Sequence, residues 1–310
     1  MKVHKGMPAR HLKNPVISIG IFDGVHRGHA AIFERVRQKA KEINGESVIV
    51  TFWPHPRHVL GKNSDQLKLL TGLEEKKNLI CGHGIDNMVV IPFTNDFSRL
   101  SPCSFVTQYL VNRVGISHLV FGFDHHFGHN REGNFENLKS CAHKYGFTLE
   151  KLDPVLDKDL RISSSVIREA LSRGDVKLAS RLLDYQYSMK GKIVGGNKVG
   201  RVIGYPTANI KPVDQHKLVP ADGVYAVRVI MGSSPFMGMM NIGYRPTLNT
   251  NNRNKSLEVH IIGFEGDVYN RQTEICFVDR IRDEKQFGSL DELKDQLADD
   301  RMKALHILSL

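Results

Sequence analysis

The pattern of predicted secondary structure changes once along the chain, near residues 185–188, and this change most constrains the fold. Before it, short apolar strands alternate with helical patterns, first at residues 16–21, then 31–43, then 47–52. Strands that alternate with helices predict βαβ units, whose parallel strands form a sheet covered by helices on both faces. We therefore expect a doubly wound α/β domain in the first half.

The remainder of this half follows the same alternation. Further strands are predicted at residues 87–93, 118–121 and 148–152. Helices are predicted at residues 71–81, 101–113, 136–144, 165–172 and 176–183. The sequence T-G-L-E at residues 71–74 has the spacing of a capping box, and Ser101 before Pro102 is a favourable helix start.

From Met189 onward, helical patterns almost disappear, and Gly, Pro and Asn separate short strands. These strands are predicted at residues 223–231, 236–241, 257–262 and 274–278. Such spacing is typical of a small antiparallel β-barrel. A second capping box at residues 289–292 predicts one C-terminal helix. Because 310 residues exceed one ordinary core, we expect two domains, residues 1–185 and 186–310.

Composition and charge exclude several classes of protein. No apolar run approaches the roughly 18 residues of a membrane span, and residues 1–13 lack the apolar stretch of a signal peptide. The four cysteines lie far apart, which predicts free thiols in a reducing cytoplasm. The net charge is +10, but Lys and Arg are dispersed, so no nucleic-acid-binding tail is indicated. We expect a cytoplasmic protein with neither nucleic-acid nor membrane partners.

The sequence F-D-G-V-H-R-G-H at residues 22–29 lies between a predicted strand and a helix. In an open α/β sheet, this turn lies in the ligand crevice at the carboxyl ends of the strands. A helix N-terminus binds phosphate, and glycine lets the backbone approach a ligand closely. His26 and His29 are three residues apart and can face one phosphate chain. The alternatives are a pair of helix-capping histidines and a zinc site, which lacks a third ligand nearby.

A glycine-rich segment at residues 191–209 opens the second half. Glycine-rich loops let backbone amides surround phosphates. In an extended segment, Thr207 and Asn209 point to one face and offer the oxygen ligands that Mg²⁺ prefers. Farther along, Glu258 and His260 are expected to share one face of a strand, opposite to the face whose apolar residues point to the core. The alternative is a glycine-rich hairpin and a strand with solvated polar side chains.

These motifs together resemble known families. The octet at residues 22–29 resembles the H-x-G-H signature of the nucleotidyltransferase superfamily. Three segments resemble bacterial FAD synthetases: T-F-W-P-H-P at 51–56, F-G-F-D-H-H-F-G at 121–128 with R-E-G-N at 131–134, and R-I-S-S-S-V-I-R at 161–168. Four segments occur in the order seen in riboflavin kinases: P-T-A-N at 206–209, N-I-G-Y-R-P-T at 241–247, E-V-H at 258–260 and R-D-E-K-Q-F at 282–287.

Three positions depart from the FAD synthetase pattern. His125 and His126 stand where that family usually has an aromatic and a basic residue, and Ser165 replaces a threonine. With His129, the two histidines could be mistaken for a metal cluster. We interpret them as a variant of the flavin and nucleotide loop.

The resemblance covers residues 14–300 and implies a bifunctional riboflavin kinase/FAD synthetase. It implies a Rossmann-like nucleotidyltransferase domain that adenylylates FMN to FAD with release of pyrophosphate, and a barrel domain that phosphorylates riboflavin to FMN. Both reactions would use ATP with Mg²⁺, and the flavins would be substrates and products. Two interpretations stay open beside it: the same folds with one active site, and a flavin- or nucleotide-sensing regulator.

The resemblance also implies a role for each residue that matches a family motif. Glu258 would be the base for riboflavin, and His26 and His29 would stabilise the transition state of adenylyl transfer. The predicted ATP and phosphate contacts of the adenylyltransferase are Gly20, Phe22, Asp23, Gly24, Gly28, Arg161, Ser163, Ser164, Ser165 and Arg168. The predicted flavin and nucleotide loop residues are Phe52, His55, Pro56, Asp124, Phe127 and Gly128. The predicted ATP and flavin contacts of the kinase are Gly191, Lys192, Lys198, Gly200, Arg201, Gly204, Pro206, Arg245 and Arg282, with Thr207 and Asn209 as metal ligands.

Overall fold

A parallel sheet and a closed antiparallel barrel make up the two parts of the chain, as the sequence predicts. The computed structural model describes residues 1–61, 67–124, 127–128, 132–195, 204–244, 255–266 and 268–309. By contacts between Cα atoms, the chain divides into two compact units, Met1–Ser164 and Ser165–Leu310. The predicted fold class, an α/β domain followed by a small β-barrel, is confirmed.

The first unit contains strands and helices in alternation. Its strands are β1 Lys2–Lys5, β2 Val16–Ile19, β3 Ser47–Trp53, β4 Asn87–Pro92, β5 His118–Phe121, β6 Thr148–Lys151, β7 Leu156–Asp157 and β8 Leu160–Arg161. Its helices are α1 Arg27–Glu42, α2 Pro56–Leu60, α3 Leu73–Gly82, α4 Asn95–Ser98, α5 Pro102–Phe105 and α6 Phe135–Tyr145. A π-helix, Val106–Val114, continues directly from α5.

The order of strands in the sheet determines where a ligand can bind. The order is β1-β4-β3-β2-β5-β6, and every neighbouring pair is parallel. From β2 the chain proceeds outward through β3 and β4, and then returns to the other side of β2 with β5 and β6. In such a sheet, ligands bind outside the carboxyl ends of the strands, at the point where the order reverses. The loops that follow β2 and β5 therefore border the expected crevice.

Both faces of this sheet are covered by apolar side chains. Successive side chains of a strand point to opposite faces, so one strand can contribute to both. Val48 and Val50 of β3 pack in one cluster with Phe105 and Leu110. Ile49, between them in sequence, packs with Phe33 of α1 on the other face. The buried strands thus read as nearly continuous apolar runs, as is usual for parallel sheets.

Several local features differ from the sequence prediction, and three are described here. β1 was not predicted, and it extends the sheet by pairing with β4. Residues 106–114 form a π-helix where an α-helix was expected. Helix α3 begins one residue later than the capping box T-G-L-E implies: its N-cap is Gly72, and the Glu75 carboxylate accepts a hydrogen bond from the Gly72 backbone at 3.0 Å.

The second unit is built mainly from the barrel. Its helices are α7 Ser164–Ser172, which begins at the last residue of the first unit, α8 Val176–Leu183 and α9 Leu290–Ser309. Its strands are β9 Ser188–Val194, β10 Thr207–Pro212, β11 Gly223–Met231, β12 Ser234–Tyr244, β13 Lys255–Ile261 and β14 Gln272–Arg282. The predicted hairpin is β11 and β12, which pair from Gly223 opposite Ile242 to Met231 opposite Ser234.

The strands close in the order β10-β13-β12-β11-β14-β9, with all neighbours antiparallel. Val227, Val259 and Phe277 are fully buried among the apolar residues of the barrel strands. On another face, α9 places Ala304 and Leu308 against Met239 of β12. No helix among the described residues is long and apolar enough to cross a membrane.

Candidate functional site

The loop after β2 has an unusual backbone. Phe22, Gly24 and Val25 adopt positive φ angles of 50°, 84° and 40°, of which only the glycine value is without strain. The Asp23 carboxylate lies inside this loop, and it accepts hydrogen bonds from the backbone N–H groups of Leu70 and Thr71 at 3.0–3.1 Å. Asp23 is 3% exposed. Asp23 therefore fastens the loop to the segment that precedes α3.

Thr71 completes this attachment. Its hydroxyl accepts a hydrogen bond from the backbone N–H of Gly24 at 3.0 Å and lies 3.3 Å from the Asp23 carboxylate. Behind the loop, Lys76 of α3 is buried, with its Nζ 5.7 Å from the centre of the Trp53 ring. Burial lowers the pKa of Lys76 to about 8, and the negative charge of Asp23 opposes this shift.

His26 and His29 lie side by side where helix α1 begins. His26 is the N-cap residue, and its carbonyl accepts the first hydrogen bonds of the helix, from His29 at 2.7 Å and Ala30 at 3.0 Å. The two imidazole rings stack with their centres 3.6 Å apart and an angle of 17° between their planes. Both rings therefore stand together at the positive end of the α1 dipole. This arrangement suits an anionic phosphate chain.

Gly28 leaves room for the His26 ring. A Cβ atom on residue 28 would lie 3.1 Å from Nδ1 and 3.2 Å from Cε1 of His26. Gly20, at the end of β2, is similar, because a Cβ atom there would lie 2.8 Å from the Phe22 ring. The two glycines thus allow the histidine and phenylalanine rings to lie against the backbone.

The serine segment meets the same loop. Ser164, the first residue of α7, donates from its hydroxyl to the Asp23 carbonyl at 2.8 Å. Ser163 lies directly before the helix, and Ser165 and Arg168 lie on it. The structure thus brings Ser164 to the histidine loop, and phosphate binding by these residues stays a prediction.

Arg161 lies beside the loop that follows β5. Its guanidinium donates to the Asp124 carboxylate at 2.6 Å and lies 5.3 Å from the centre of the Phe123 ring. Lys151 Nζ lies 5.3 Å from the centre of the same ring. Phe123 was not singled out from the sequence, yet it is 45% exposed and has two cations near its ring. An exposed aromatic ring can stack on a flat ligand.

The predicted flavin residues are divided between the core and the surface. Phe52 is buried and packs against Phe93, Phe97 and Phe105 with ring centres 5.5–6.0 Å apart. Phe127 is also buried, stacked on Phe121 at 6.3 Å. Both rings therefore belong to the hydrophobic core of the first unit, and their contact with flavin stays a prediction.

Two other predicted loop residues have local structural roles. His55 is the N-cap of α2, where its Nδ1 accepts from the Arg57 N–H at 3.1 Å, and Pro56 is the first helical residue. Gly128 has a φ of 74°, and a Cβ atom there would lie 3.0 Å from Pro102. His125, His126 and His129 lie outside the described residues. Elsewhere in the described chain, no group of three or more His, Cys, Asp or Glu residues could hold a metal ion.

A second cluster of polar side chains lies on the barrel. Asn209 of β10 and Asn241 of β12 both pair with Glu258 of β13, one on each side. Thr207 pairs with His260 and donates from its hydroxyl to Glu258 Oε2 at 3.4 Å. Directly paired residues of adjacent strands share a face, as do residues two apart in one strand. The predicted metal ligands and the predicted base therefore form one cluster.

Glu258 and His260 differ in exposure, although both lie on this face. His260 is 8% exposed, and its Nδ1–H donates to the Pro206 carbonyl at 2.9 Å. The Tyr205 ring packs edge-to-face with the imidazole, with the ring centres 5.3 Å apart. Burial lowers the pKa of His260, so the ring is neutral at pH 7. His260 thus fixes the turn before Thr207, while Glu258 stays half-buried and accessible.

The other predicted kinase residues are distributed around the barrel. Gly191 and Lys192 lie on β9, and a Cβ atom on residue 191 would lie 2.4 Å from Ile210. Gly204, with a φ of 84°, begins the segment that leads to Pro206. Lys198, Gly200, Arg201 and Arg245 lie outside the described residues.

Arg282 has a structural role that its motif does not indicate. Its Nε and Nη2 donate to the Asp300 carboxylate at 2.8–3.1 Å, and Asp300, on α9, is fully buried. Its Nη1 donates to the Asp283 carbonyl at 2.9 Å. Arg282 thus joins the C-terminal helix to the end of β14, and its contact with a substrate stays a prediction.

Comparison with known proteins assigns each half to a family. The FAD synthetase family model matches residues 9–166, and the riboflavin kinase family model matches residues 183–308. The bifunctional riboflavin kinase/FMN adenylyltransferase of Bacillus subtilis is 37% identical, covering 95% of this chain and 92% of its own. This chain belongs to the bifunctional riboflavin kinase/FMN adenylyltransferase family. The family predicted from the motifs is confirmed.

Other relatives of the family have similar coverage. The Escherichia coli protein of the same description is 35% identical, over 95% of this chain and 93% of its own. A solved structure from Streptococcus pneumoniae, described as a macrolide-efflux protein, has a TM-score of 0.85 and 31% identity, over 96% of this chain and 94% of its own. The likeness in fold therefore extends over both halves.

The sequence analysis missed Ser256, which contacts Glu258, the predicted base of the kinase reaction. Its hydroxyl donates to Glu258 Oε1 at 2.8 Å. The signal was present, since residue 256 lies two positions before Glu258 in an alternating strand and therefore shares its face. Thr71 had no such signal, because its partner Asp23 is 48 residues away along the chain.

Proposed function

We propose that the first part of the chain transfers the adenylyl group of ATP to FMN, giving FAD and pyrophosphate. The barrel part would transfer the γ-phosphoryl group of ATP to riboflavin, giving FMN and ADP. The observation that carries this proposal is that one chain matches both family models over separate ranges, residues 9–166 and 183–308. Because FMN is the product of one reaction and the substrate of the other, the chain would convert riboflavin to FAD.

Adenylyl transfer needs no general base, because the phosphate of FMN is already ionised. The site must align a phosphate oxygen of FMN with the α-phosphorus of ATP and stabilise the charge that develops. A bond forms between these two atoms while the bond from the α-phosphorus to the bridging oxygen breaks, and pyrophosphate leaves. His26 and His29, stacked at the start of α1, would donate to the α-phosphate oxygens.

The leaving pyrophosphate needs its own contacts. Arg161, the hydroxyls of residues 163–165 and Arg168 would provide them, since guanidinium groups bind phosphate oxygens through paired hydrogen bonds. Ser164 lies at the histidine loop, which supports this assignment. Asp124, paired with Arg161, would release the guanidinium to the phosphate.

Phosphoryl transfer to riboflavin does profit from a base, because the attacking group is an alcohol. Glu258 would take the proton of the ribityl 5′-hydroxyl as its oxygen bonds to the γ-phosphorus and the bond to the ADP oxygen breaks. General-base assistance of this kind is typically worth about 10²- to 10⁴-fold in rate. Glu258 lies on the same barrel face as Thr207 and Asn209, which supports this role.

Thr207 and Asn209 would hold Mg²⁺ together with the phosphates of ATP. The fit is chemical, because a hydroxyl and an amide oxygen on one face of β10 are hard donors of the kind Mg²⁺ prefers. When bound, the ion would neutralise charge on the β- and γ-phosphates. Changing both residues to Ala should abolish riboflavin phosphorylation at limiting Mg²⁺ and leave FMN adenylylation intact.

The boundary between the two activities is also a proposal, placed between residues 185 and 186. Helices α7 and α8 lie before it, although they pack within the second compact unit. Lys177 of α8, for example, forms an ion pair with Asp279 at 2.6 Å. Fragments 165–310 and 186–310 should both phosphorylate riboflavin if the boundary is right. A folded but inactive 186–310 fragment would move it to the start of α7.

One assay tests the whole proposal. The purified chain is incubated with riboflavin, ATP and Mg²⁺, and riboflavin, FMN and FAD are separated by chromatography over time. FMN should appear first and FAD afterwards. Accumulation of FMN alone would favour a single active site, and unchanged riboflavin bound to the protein would favour a flavin-sensing regulator.

We also propose that the partners are ATP, riboflavin, FMN, FAD and pyrophosphate, with neither nucleic acid nor membrane among them. The cytoplasm is the compartment we propose, because both reactions consume ATP. All four cysteines are free, which agrees with a reducing compartment. Fractionation of cells that express the chain tests this location.

A further inference from the structure

A short hairpin, formed by β7 and β8, leads into the serine segment. Its strands pair with Leu156 opposite Arg161 and Asp157 opposite Leu160, so each strand contributes two residues. A two-stranded ribbon of this size has little stability of its own. Contacts made by its side chains must therefore fix where the hairpin lies.

The two faces of this hairpin contact different parts of the first unit. Directly paired residues share a face and successive residues alternate, so Asp157 and Arg161 point to opposite faces. Arg161 donates to the Asp124 carboxylate, in the loop after β5, at 2.6 Å. On the other face, the Asp157 carboxylate accepts a hydrogen bond from Nη1 of Arg27 at 2.9 Å. The hairpin is thus fastened on both faces.

Arg27 joins the hairpin to the motif that carries the two histidines. It is the first residue of α1 and belongs to the sequence H-R-G-H at residues 26–29. The side chain of Asp157 is 13% exposed, and a partly buried ion pair is screened by salt much less than a surface pair. Directly after the hairpin, the Ile162 carbonyl lies 3.7 Å from the place that a Cβ atom on Gly28 would occupy. The hairpin therefore lies against the start of α1.

We propose that Arg27 is a positioning residue for adenylyl transfer: through Asp157 it fixes the hairpin, so that Arg161 stands beside the leaving pyrophosphate. This inference rests on the proposed adenylyl transfer and on the proposed role of Arg161 in it. Arg27 acts through Asp157 in this account and contacts neither substrate. The ion pair ties the start of α1, where the histidines stand, to the group that binds the leaving phosphates.

The reverse reaction isolates the contacts of the pyrophosphate. A pyrophosphate oxygen bonds to the adenylyl phosphorus of FAD while the bond from that phosphorus to the FMN phosphate oxygen breaks, giving ATP and FMN. Arg27→Met removes the charge and keeps an unbranched side chain. It should lower kcat/KM for pyrophosphate about 5- to 20-fold, between the usual effects of an exposed ion pair and of a buried charged hydrogen bond. KM for FAD should stay within about twofold, because the change acts on the pyrophosphate contacts.

Further variants separate positioning from a direct or a purely structural role. Asp157→Asn should show the same loss, and combining it with Arg27→Met should be no worse than either change alone. Arg27→Lys keeps the charge, so kcat/KM should return to within about threefold of the original. Arg35→Met is the matched control and should leave kcat/KM unchanged, because Arg35 also joins α1 to another element, through Glu150 of β6 at 2.6 Å. Circular dichroism reports that each variant is folded.

Arg161→Met distinguishes the failure of this inference from that of the proposed function. It should lower kcat/KM for pyrophosphate at least as much as Arg27→Met, and combining the two should add little. If the unchanged chain does not interconvert FMN and FAD, the proposed function fails. If Arg161→Met keeps a normal kcat/KM, the role of Arg161 fails, and the inference fails with it. If Arg161→Met is impaired but folded Asp157→Asn keeps its kcat/KM, or Arg27→Lys does not restore it, the inference about Arg27 alone is overturned.

Discussion

Replacement of Asp23 by Ala should damage one activity of the chain and spare the other. The Asp23 carboxylate accepts from the backbone N–H groups of Leu70 and Thr71, and both of those residues are buried. A buried donor that loses its acceptor costs about 1–3 kcal/mol, so two such donors cost about 2–6 kcal/mol. The loop that carries the two histidines would then lose its attachment to the segment before α3.

The activity loss follows from the same contact. Because the loop leads directly into His26 and His29, a displacement of about 1 Å should lower the rate of FMN adenylylation on the order of 10²-fold. Riboflavin phosphorylation should remain normal, since its proposed residues lie on the barrel. Unfolding in urea gives the stability change, and chromatography of FMN and FAD gives the rate.

Asp86→Ala provides the matched control for this experiment. Asp86 also holds a backbone N–H and a hydroxyl, both of Ser47, at 2.9 Å and 2.6 Å, but at the amino end of β3. This variant should lose stability and keep its adenylylation rate at temperatures where it is folded. If Asp23→Ala is as stable as the unchanged chain, or if Asp86→Ala loses adenylylation equally, the argument that Asp23 positions the site is refuted.

Three further predictions concern other contacts. Gly28→Ala should lower FMN adenylylation about 10-fold or more with little effect on the kinase, because the new Cβ would lie 3.1 Å from Nδ1 of His26; steady-state rates of both reactions test this. Asp300→Asn should lower the urea midpoint of the barrel unit, because removing the charge partner of Arg282 weakens a buried pair whose loss typically costs about 3–5 kcal/mol. Burial lowers the pKa of His118, so the folded chain binds its proton less readily than the unfolded chain; stability should fall as the pH drops below about 6.5, the unfolded value, and His118→Asn should weaken that dependence in pH-dependent melting.

Much of the fold follows from strong local patterns. The bounds of β5, α8 and β11 agree with the sequence prediction residue for residue, because each segment is an apolar run of clear periodicity. β1 was missed because its sequence K-V-H-K holds one apolar residue, and pairing with β4 stabilises it instead. The π-helix was missed because apolar spacing alone does not distinguish its hydrogen bonds from those of an α-helix.

The candidate site was predictable only in part. Motif order and strand alternation grouped Thr207, Asn209 and Glu258, and the structure brings them onto one barrel face. Contacts between residues that are distant in sequence were not predictable. The motif that contains Arg282, for example, does not indicate that its partner is Asp300. Phe52 reads as a ligand contact in its motif, but its strand position places it in the core.

The central claim is that two separate sites act in sequence, and one pair of variants tests it most directly. Glu258→Gln keeps the shape of the proposed base but removes its charge, while His29→Ala removes one of the stacked imidazoles. Each is incubated with ATP, Mg²⁺ and either riboflavin or FMN, and the flavins are separated by chromatography over time.

Glu258→Gln should make no FMN from riboflavin and still convert supplied FMN to FAD. His29→Ala should accumulate FMN and form FAD about 10²- to 10³-fold more slowly, the usual cost of losing a charge-stabilising contact. A mixture of the two should restore the conversion of riboflavin to FAD through released FMN. If either variant loses both activities while it remains folded, the account of two separate sites is contradicted.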